Sequence, residues 1–174
     1  MKHFVVFDRD GTLIEHVPYL IDPKLISYKF HLKEALLLLS KNNISFGIIS
    51  NQSLIGRKIG NIENVESINN EIRRFISDCN LDFDFIYICP HLPDEGCNCR
   101  KPKTELGTRV IKKYKTNASN GFVVGDQDSD LIFGKNLGFR TIHISKYQQF
   151  PQLADYTTDD LLAAVKWIVQ QVKG

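Results

Sequence analysis

No apolar run in this 174-residue chain approaches membrane-spanning length, and residues 1–20 lack the basic stretch and long apolar core of a secretory leader. The expectation is a cytoplasmic protein with no membrane partner. Neither sign of charge dominates. Lys and Arg number 22 against 20 Asp and Glu, and a formal net charge of +2 does not argue for nucleic acid or an anionic surface. Basic and aromatic residues are not interleaved as they are in nucleic-acid binders. Internal repeats, low-complexity tracts and a convincing linker are also missing. Cysteine is scarce and uneven: Cys97 and Cys99 lie close to Cys89, while Cys79 stands apart, which is not the spacing of a secreted disulfide framework. What remains is ordinary globular composition, 43% hydrophobic and 24% charged, and one domain over 1–174 is expected.

Short apolar runs alternate with longer amphipathic ones. Strands are predicted at "FVVF" (4–7), "FGIIS" (46–50), "FDFIYI" (83–88), "GFVVG" (121–125) and "RTIHIS" (140–145). Helical spacing runs through "LKEALLLLSK", "NVESINNEIRRFISDC", "ELGTRVIKKY", "DLIFGKNLG" and "TDDLLAAVKWIVQQVK", with a cap at Thr158-Asp159 and helix ends at 40–43 and Leu137-Gly138. This alternation predicts an α/β fold, a parallel sheet with helices on both faces in three Rossmann-like layers. Ligands in such sheets bind beyond the carboxyl ends of the strands. The segments between strands leave little room for a separate cap domain.

Four polar constellations follow those strands. Asp8-x-Asp10-Gly11-Thr12 sets two carboxylates where a strand turns, and each raises the other's pKa unless a cation lies between them. Mg²⁺ suits such oxygen ligands and leaves room for a phosphate; one carboxylate can then attack phosphorus while the other protonates the leaving oxygen. The same letters also spell a solvated turn whose carboxylates cap neighbouring amides. "SNQS" (50–53) offers hydroxyl, amide and backbone donors for phosphate oxygens, or simply a helix N-cap. "CPHLPDEGCNCRKPK" (89–103) supplies Cys89, His91, Cys97 and Cys99, a complete tetrahedral set for structural Zn²⁺, against the alternatives of a redox pair or chance clustering. Arg100, Lys101 and Lys103 follow it directly, as phosphate-binding cations or a solvated basic run. "GDQDSD" (125–130) brings Asp126, with Asp130 in support, to a strand end, or forms an acidic turn capping the next helix.

Together these residues resemble the haloacid dehalogenase (HAD)-like phosphohydrolase superfamily: Asp8-Arg9-Asp10-Gly11-Thr12, Ser50, Lys101, then Gly125-Asp126 with Asp130. "SNQS", the Cys/His/Cys/Cys loop, "CRKPK" and "GKNLGF" are similar to the D-glycero-D-manno-heptose 1,7-bisphosphate 7-phosphatases and the histidinol-phosphatase domains. The resemblance implies a capless fold with a zinc loop and a phosphomonoesterase that works through an aspartyl-phosphate. Asp8 is then the nucleophile and Asp10 the general acid and base. Mg²⁺ is held by Asp8, the Asp10 carbonyl and Asp126, while Ser50 and Lys101 steady the phosphoryl group. Substrate contacts are implied for Arg9, for His16 to Tyr19, for Asn51, Gln52 and Ser53, and for Arg100 and Gln127. The implied partner is a small phosphorylated sugar met by a monomer, foremost the heptose bisphosphate of nucleotide-heptose biosynthesis, with histidinol phosphate as the alternative. A non-enzymatic zinc-loop binding protein on an inactive fold is the rival from another class. Relatives commonly carry Lys after the metal aspartate, where this chain has Gln127; Leu54 and Pro18 stand where Gly is common.

Overall fold

A computed structural model describes residues 2–174. Six parallel strands form one sheet in the order β3-β2-β1-β4-β5-β6: β1 Phe4–Phe7, β2 Ser45–Asn51, β3 Ile86–Cys89, β4 Gly121–Gly125, β5 Arg140–Ile144 and β6 Tyr156–Thr158. The helices are α1 Leu32–Lys41, α2 Ile62–Ser77, α3 Glu105–Tyr114, α4 Asp128–Leu137 and α5 Leu161–Lys173.

The central strands are apolar on both sides because both sides are covered. Val5 and Phe7 of β1 face a core shared with α1, α2 and α5, whereas Phe4 and Val6 face a second core closed by α3 and α4. This is the period-2 alternation of a strand between two helical layers. Helix α2 contributes Val65, Ile68, Ile72 and Ile76, all fully buried, at about 2 kcal/mol each. No helix among the described residues is long and apolar enough to cross a membrane.

Four local differences from the sequence reading stand out. The cap of α5 is Asp160 rather than Thr158-Asp159, and the helix begins at Leu161, because the Asp160 carboxylate accepts from Leu162 N at 2.9 Å. Thr158 instead closes β6, a three-residue edge strand paired with Ile142–Ile144, too short to show periodicity. Strand β3 starts at Ile86; just before it Phe85 crosses over Gly47, where a Cβ would lie 2.5 Å from the Phe85 carbonyl oxygen. No helix follows "SNQS"; α2 starts after Asn61, which forms a reciprocal capping box with Asn64.

Parallel register brings the polar constellations together. Phe7 lies level with Ile48 and Val124, so Asp8 and Asp126 emerge just beyond the carboxyl ends of β1 and β4, beside Ser50 near the end of β2. Asp8 is tied down by its own N–H, which donates to the Val124 carbonyl at 2.9 Å.

Candidate active site

At that end of the sheet a cavity of about 710 Å³ opens to solvent. Its floor is Asp8, 9% exposed at the end of β1. The Lys101 ammonium, buried beside it, donates to Asp8 Oδ1 at 2.7 Å and to the Ile49 carbonyl at 2.6 Å, and pairs with Asp130 Oδ1 at 2.7 Å. Asn51 fixes this lysine from β2: its amide donates to the Lys101 carbonyl at 3.1 Å and its Oδ1 accepts from Lys101 N at 3.0 Å. Burial alone would lower the lysine's pKa, but the attraction of Asp130 and Asp8 outweighs it and leaves Lys101 above its ordinary value. Burial, assisted by Asp130 and Asp10 and only partly offset by Lys101, pushes Asp8 up to about 6.

Asp126 closes the acidic cluster from β4. Its Oδ2 accepts from the Gln127 side-chain amide at 2.6 Å, and its carbonyl lies 3.2 Å from His143 Nε2, a fully buried histidine on β5. Burial first, then the Asp8 charge, raises its pKa. Carboxylate oxygens of Asp8, Asp126 and Asp130 lie within 4.8 Å of one another. Asp126 Oδ1 is buried without a hydrogen-bond partner among the described residues. An orphaned carboxylate oxygen facing a second carboxylate is what a hard, oxygen-seeking divalent cation would satisfy, so the donors fit Mg²⁺. Gly11 permits the approach: at φ +90°, a Cβ there would lie 2.3 Å from Asp126 Oδ2.

Asp10 stands beside this floor, its carboxylate held by Arg9 and, at 2.7 Å, by the Gln52 side chain, which also donates to Ser50 Oγ at 2.8 Å. Ser50, Gln52 and Arg9 are thus buried supports under the cavity, while His16, Tyr19, Ser53, Arg100 and Gln127 stand at its wall and rim. The Tyr19 ring faces the Arg57 guanidinium at 5.9 Å.

The cysteine loop forms one wall. Cys89 Sγ lies 3.3 Å from Cys99 Sγ and 3.7 Å from Cys97 Sγ, and His91 Nδ1 lies 3.2 Å from Cys99 and 3.6 Å from Cys89. Tetrahedral zinc with sulfur at ~2.3 Å and nitrogen at ~2.0 Å has ligand–ligand edges of roughly 3.5–3.8 Å, so this spacing fits the ion. Burial pushes the Cys89 thiol up to about 12, which keeps it protonated unless a cation binds. The loop carries Arg100, whose Nη1 donates to the His91 carbonyl at 3.3 Å, and joins β2's exit through Gln52 N to the Cys89 carbonyl at 2.7 Å.

Two polar residues at this site escape a reading by motif. Asn69 sits midway along α2 and accepts from Arg9; its one signal is an amide on an apolar helix face. His143 lies in "RTIHIS", where a polar ring inside a buried strand is the corresponding signal.

Comparison with known proteins agrees with this geometry. A family model described as Polynucleotide kinase 3 phosphatase matches residues 3–164. The "Histidine biosynthesis bifunctional protein HisB" of Campylobacter jejuni is 37% identical over 144 residues, 80% of this chain. That of Legionella pneumophila is 36% identical over 165 residues, 92% of the chain. The chain spans only 41% and 46% of the length of these two curated relatives. The D,D-heptose 1,7-bisphosphate phosphatase of B. bronchiseptica, solved with magnesium and phosphate, superposes with a TM-score of 0.89 at 23% identity, covering 98% of this chain and 99% of that one. The corresponding phosphatase of Burkholderia thailandensis gives 0.70 at 20% identity, covering 97% and 99%. At those identities the likeness is one of fold.

Proposed function

The chain belongs to the polynucleotide kinase 3 phosphatase family within the HAD-like superfamily, and from that premise we propose that it is a Mg²⁺-dependent phosphomonoesterase for a small phosphorylated metabolite. The observation that carries the reading is the buried Asp8–Lys101–Asp130 cluster facing the orphaned Asp126 oxygen. Burying charge of this density is costly, and removing one partner from such a set costs about 3–5 kcal/mol.

Asp8, with Oδ1 held by Lys101, attacks phosphorus through its carboxylate. The ester P–O bond breaks, and Asp10 donates a proton to the departing alkoxide. Water then attacks the aspartyl-phosphate, giving its proton to Asp10, and the P–O bond to Asp8 breaks to release phosphate. Ser50 and Lys101 balance charge on the transferring oxygens. Mg²⁺, held by Asp8, the Asp10 carbonyl and Asp126, supplies Lewis-acid stabilisation of that charge when bound. Zn²⁺ on Cys89, His91, Cys97 and Cys99 is structural, a closed set that shapes the wall carrying Arg100. His16, Tyr19, Ser53 and Gln127 meet the rest of the substrate.

Two substrates fit the family's members. D-glycero-D-manno-heptose 1,7-bisphosphate is supported by Arg100, a guanidinium with donors to spare for a second phosphate. Histidinol phosphate is supported by Gln127, which is neutral and already engaged with Asp126, so the rim lacks a second free cation there. A side-by-side panel tests the reading: the heptose bisphosphate (both anomers), heptose monophosphate and histidinol phosphate, with Mg²⁺ and with EDTA. The expected result is Mg²⁺-dependent phosphate release, with kcat/KM for one of these esters well above that for p-nitrophenyl phosphate. Phosphate release that ignores EDTA, or none from any ester, contradicts it.

A further inference from the structure

Arg9 is the largest fully buried side chain among the described residues, 1% exposed. A guanidinium out of water is tolerated only when its donors are used. Here Nε and Nη2 reach both oxygens of Asp10 at 2.9–3.2 Å, and Nη1 donates to Asn69 Oδ1 at 3.1 Å. Asn69 is itself buried, 7% exposed, on the apolar face of α2. The far end of the fork is therefore anchored to a helix, and its near end sets the plane of the Asp10 carboxylate. Gln52 adds one more donor to Asp10 Oδ2. Among the described residues, every side-chain hydrogen bond to this carboxylate comes from a donor.

Donors from Arg9 Nε, Arg9 Nη2 and the Gln52 amide on its two oxygens fix the plane and direction of this carboxylate, as a proton acceptor for an incoming water requires. We propose that Arg9, anchored by Asn69, is a positioning residue that holds Asp10 as the proton acceptor for hydrolysis of the aspartyl-phosphate. This rests on the phosphatase reading above. In the step it serves, the water oxygen bonds to phosphorus, the P–O bond to Asp8 breaks, and the water proton passes to Asp10.

The test separates formation from decay of the phosphoenzyme. Holoenzyme is loaded with p-nitrophenyl phosphate, chased, and acid-quenched over time, for wild type, Arg9→Lys and Asn69→Ser. Arg9→Lys keeps the charge and loses the fork. Its phosphoenzyme is expected to decay at least about tenfold more slowly, a part of the ~10²–10⁴ that a placed base supplies. Its kcat and KM should fall together while kcat/KM stays within about threefold of wild type. Asn69→Ser, which leaves Arg9 in place, should move the same way by less, and decides the matter if Arg9→Lys does not fold. A crystal structure of the folded variant should show the Asp10 carboxylate displaced. Unchanged decay, or a fall in kcat/KM that parallels kcat without phosphoenzyme accumulation, overturns the proposal. A wild type that forms no phosphoenzyme overturns the phosphatase mechanism instead, so the two failures are distinct.

Discussion

The two candidate metal clusters differ in where their charge is balanced. The aspartate cluster lies at strand ends with its cation built in: Lys101 bridges Asp8 and Asp130, and Arg9 holds Asp10. Sheet register and buried ion pairs shape it before any metal arrives. Cys89–Lys103 has, past Cys89, no regular secondary structure, and its sulfurs meet mainly one another and one imidazole. The strands organise the first cluster, whereas the second lies on irregular chain and offers a complete set of zinc donors. Yet the two are joined, because Arg100 and Lys101 leave the cysteine loop and line the cavity over Asp8.

Stripping each metal in turn should expose that difference. Cys97→Ser with chelation should lose about one zinc per chain and lower the melting temperature by about 5–10 °C, as expected for 2–3 kcal/mol in a domain this size. Turnover should fall with it, since the loosened loop runs directly into Arg100 and Lys101. Removing Mg²⁺ alone should abolish turnover but shift melting by less than about 3 °C. Calorimetry with metal analysis checks both, and equal melting shifts would erase the distinction. A smaller effect sharpens it. Arg100→Ala removes a charge-assisted contact worth about 1.5–3 kcal/mol. It should lower kcat/KM for the natural ester by about 10–100-fold and that for p-nitrophenyl phosphate by less than about threefold. Parallel losses would make Arg100 part of the loop's scaffold rather than of recognition.

The same contrast marks how far the sequence is legible. Helices α1 and α3 match their apolar periodicity residue for residue, and β1 and β4 match their apolar runs, because elements packed into a core must repeat in register. Strand β6 is hidden because three half-buried residues have no period. Asp8, Asp10, Ser50, Lys101 and Asp126 stand out by motif, and the structure brings them around one cavity. Asn69 and His143 do not stand out, since each acts through a neighbour distant in sequence: Arg9, sixty residues away, and the carbonyl of Asp126. Nor does sequence show that Arg9 and Gln52 turn inward to Asp10, because charge and amide read as surface until their partners are known.

The central claim is that Asp8 carries the phosphoryl group. Quenching the Mg²⁺-loaded protein during turnover, reducing it with borohydride and mapping the peptides tests this most directly. The label should fall on Asp8 and vanish in Asp8→Asn. A label on another residue, or phosphate release from Asp8→Asn at the wild-type rate, would contradict the account.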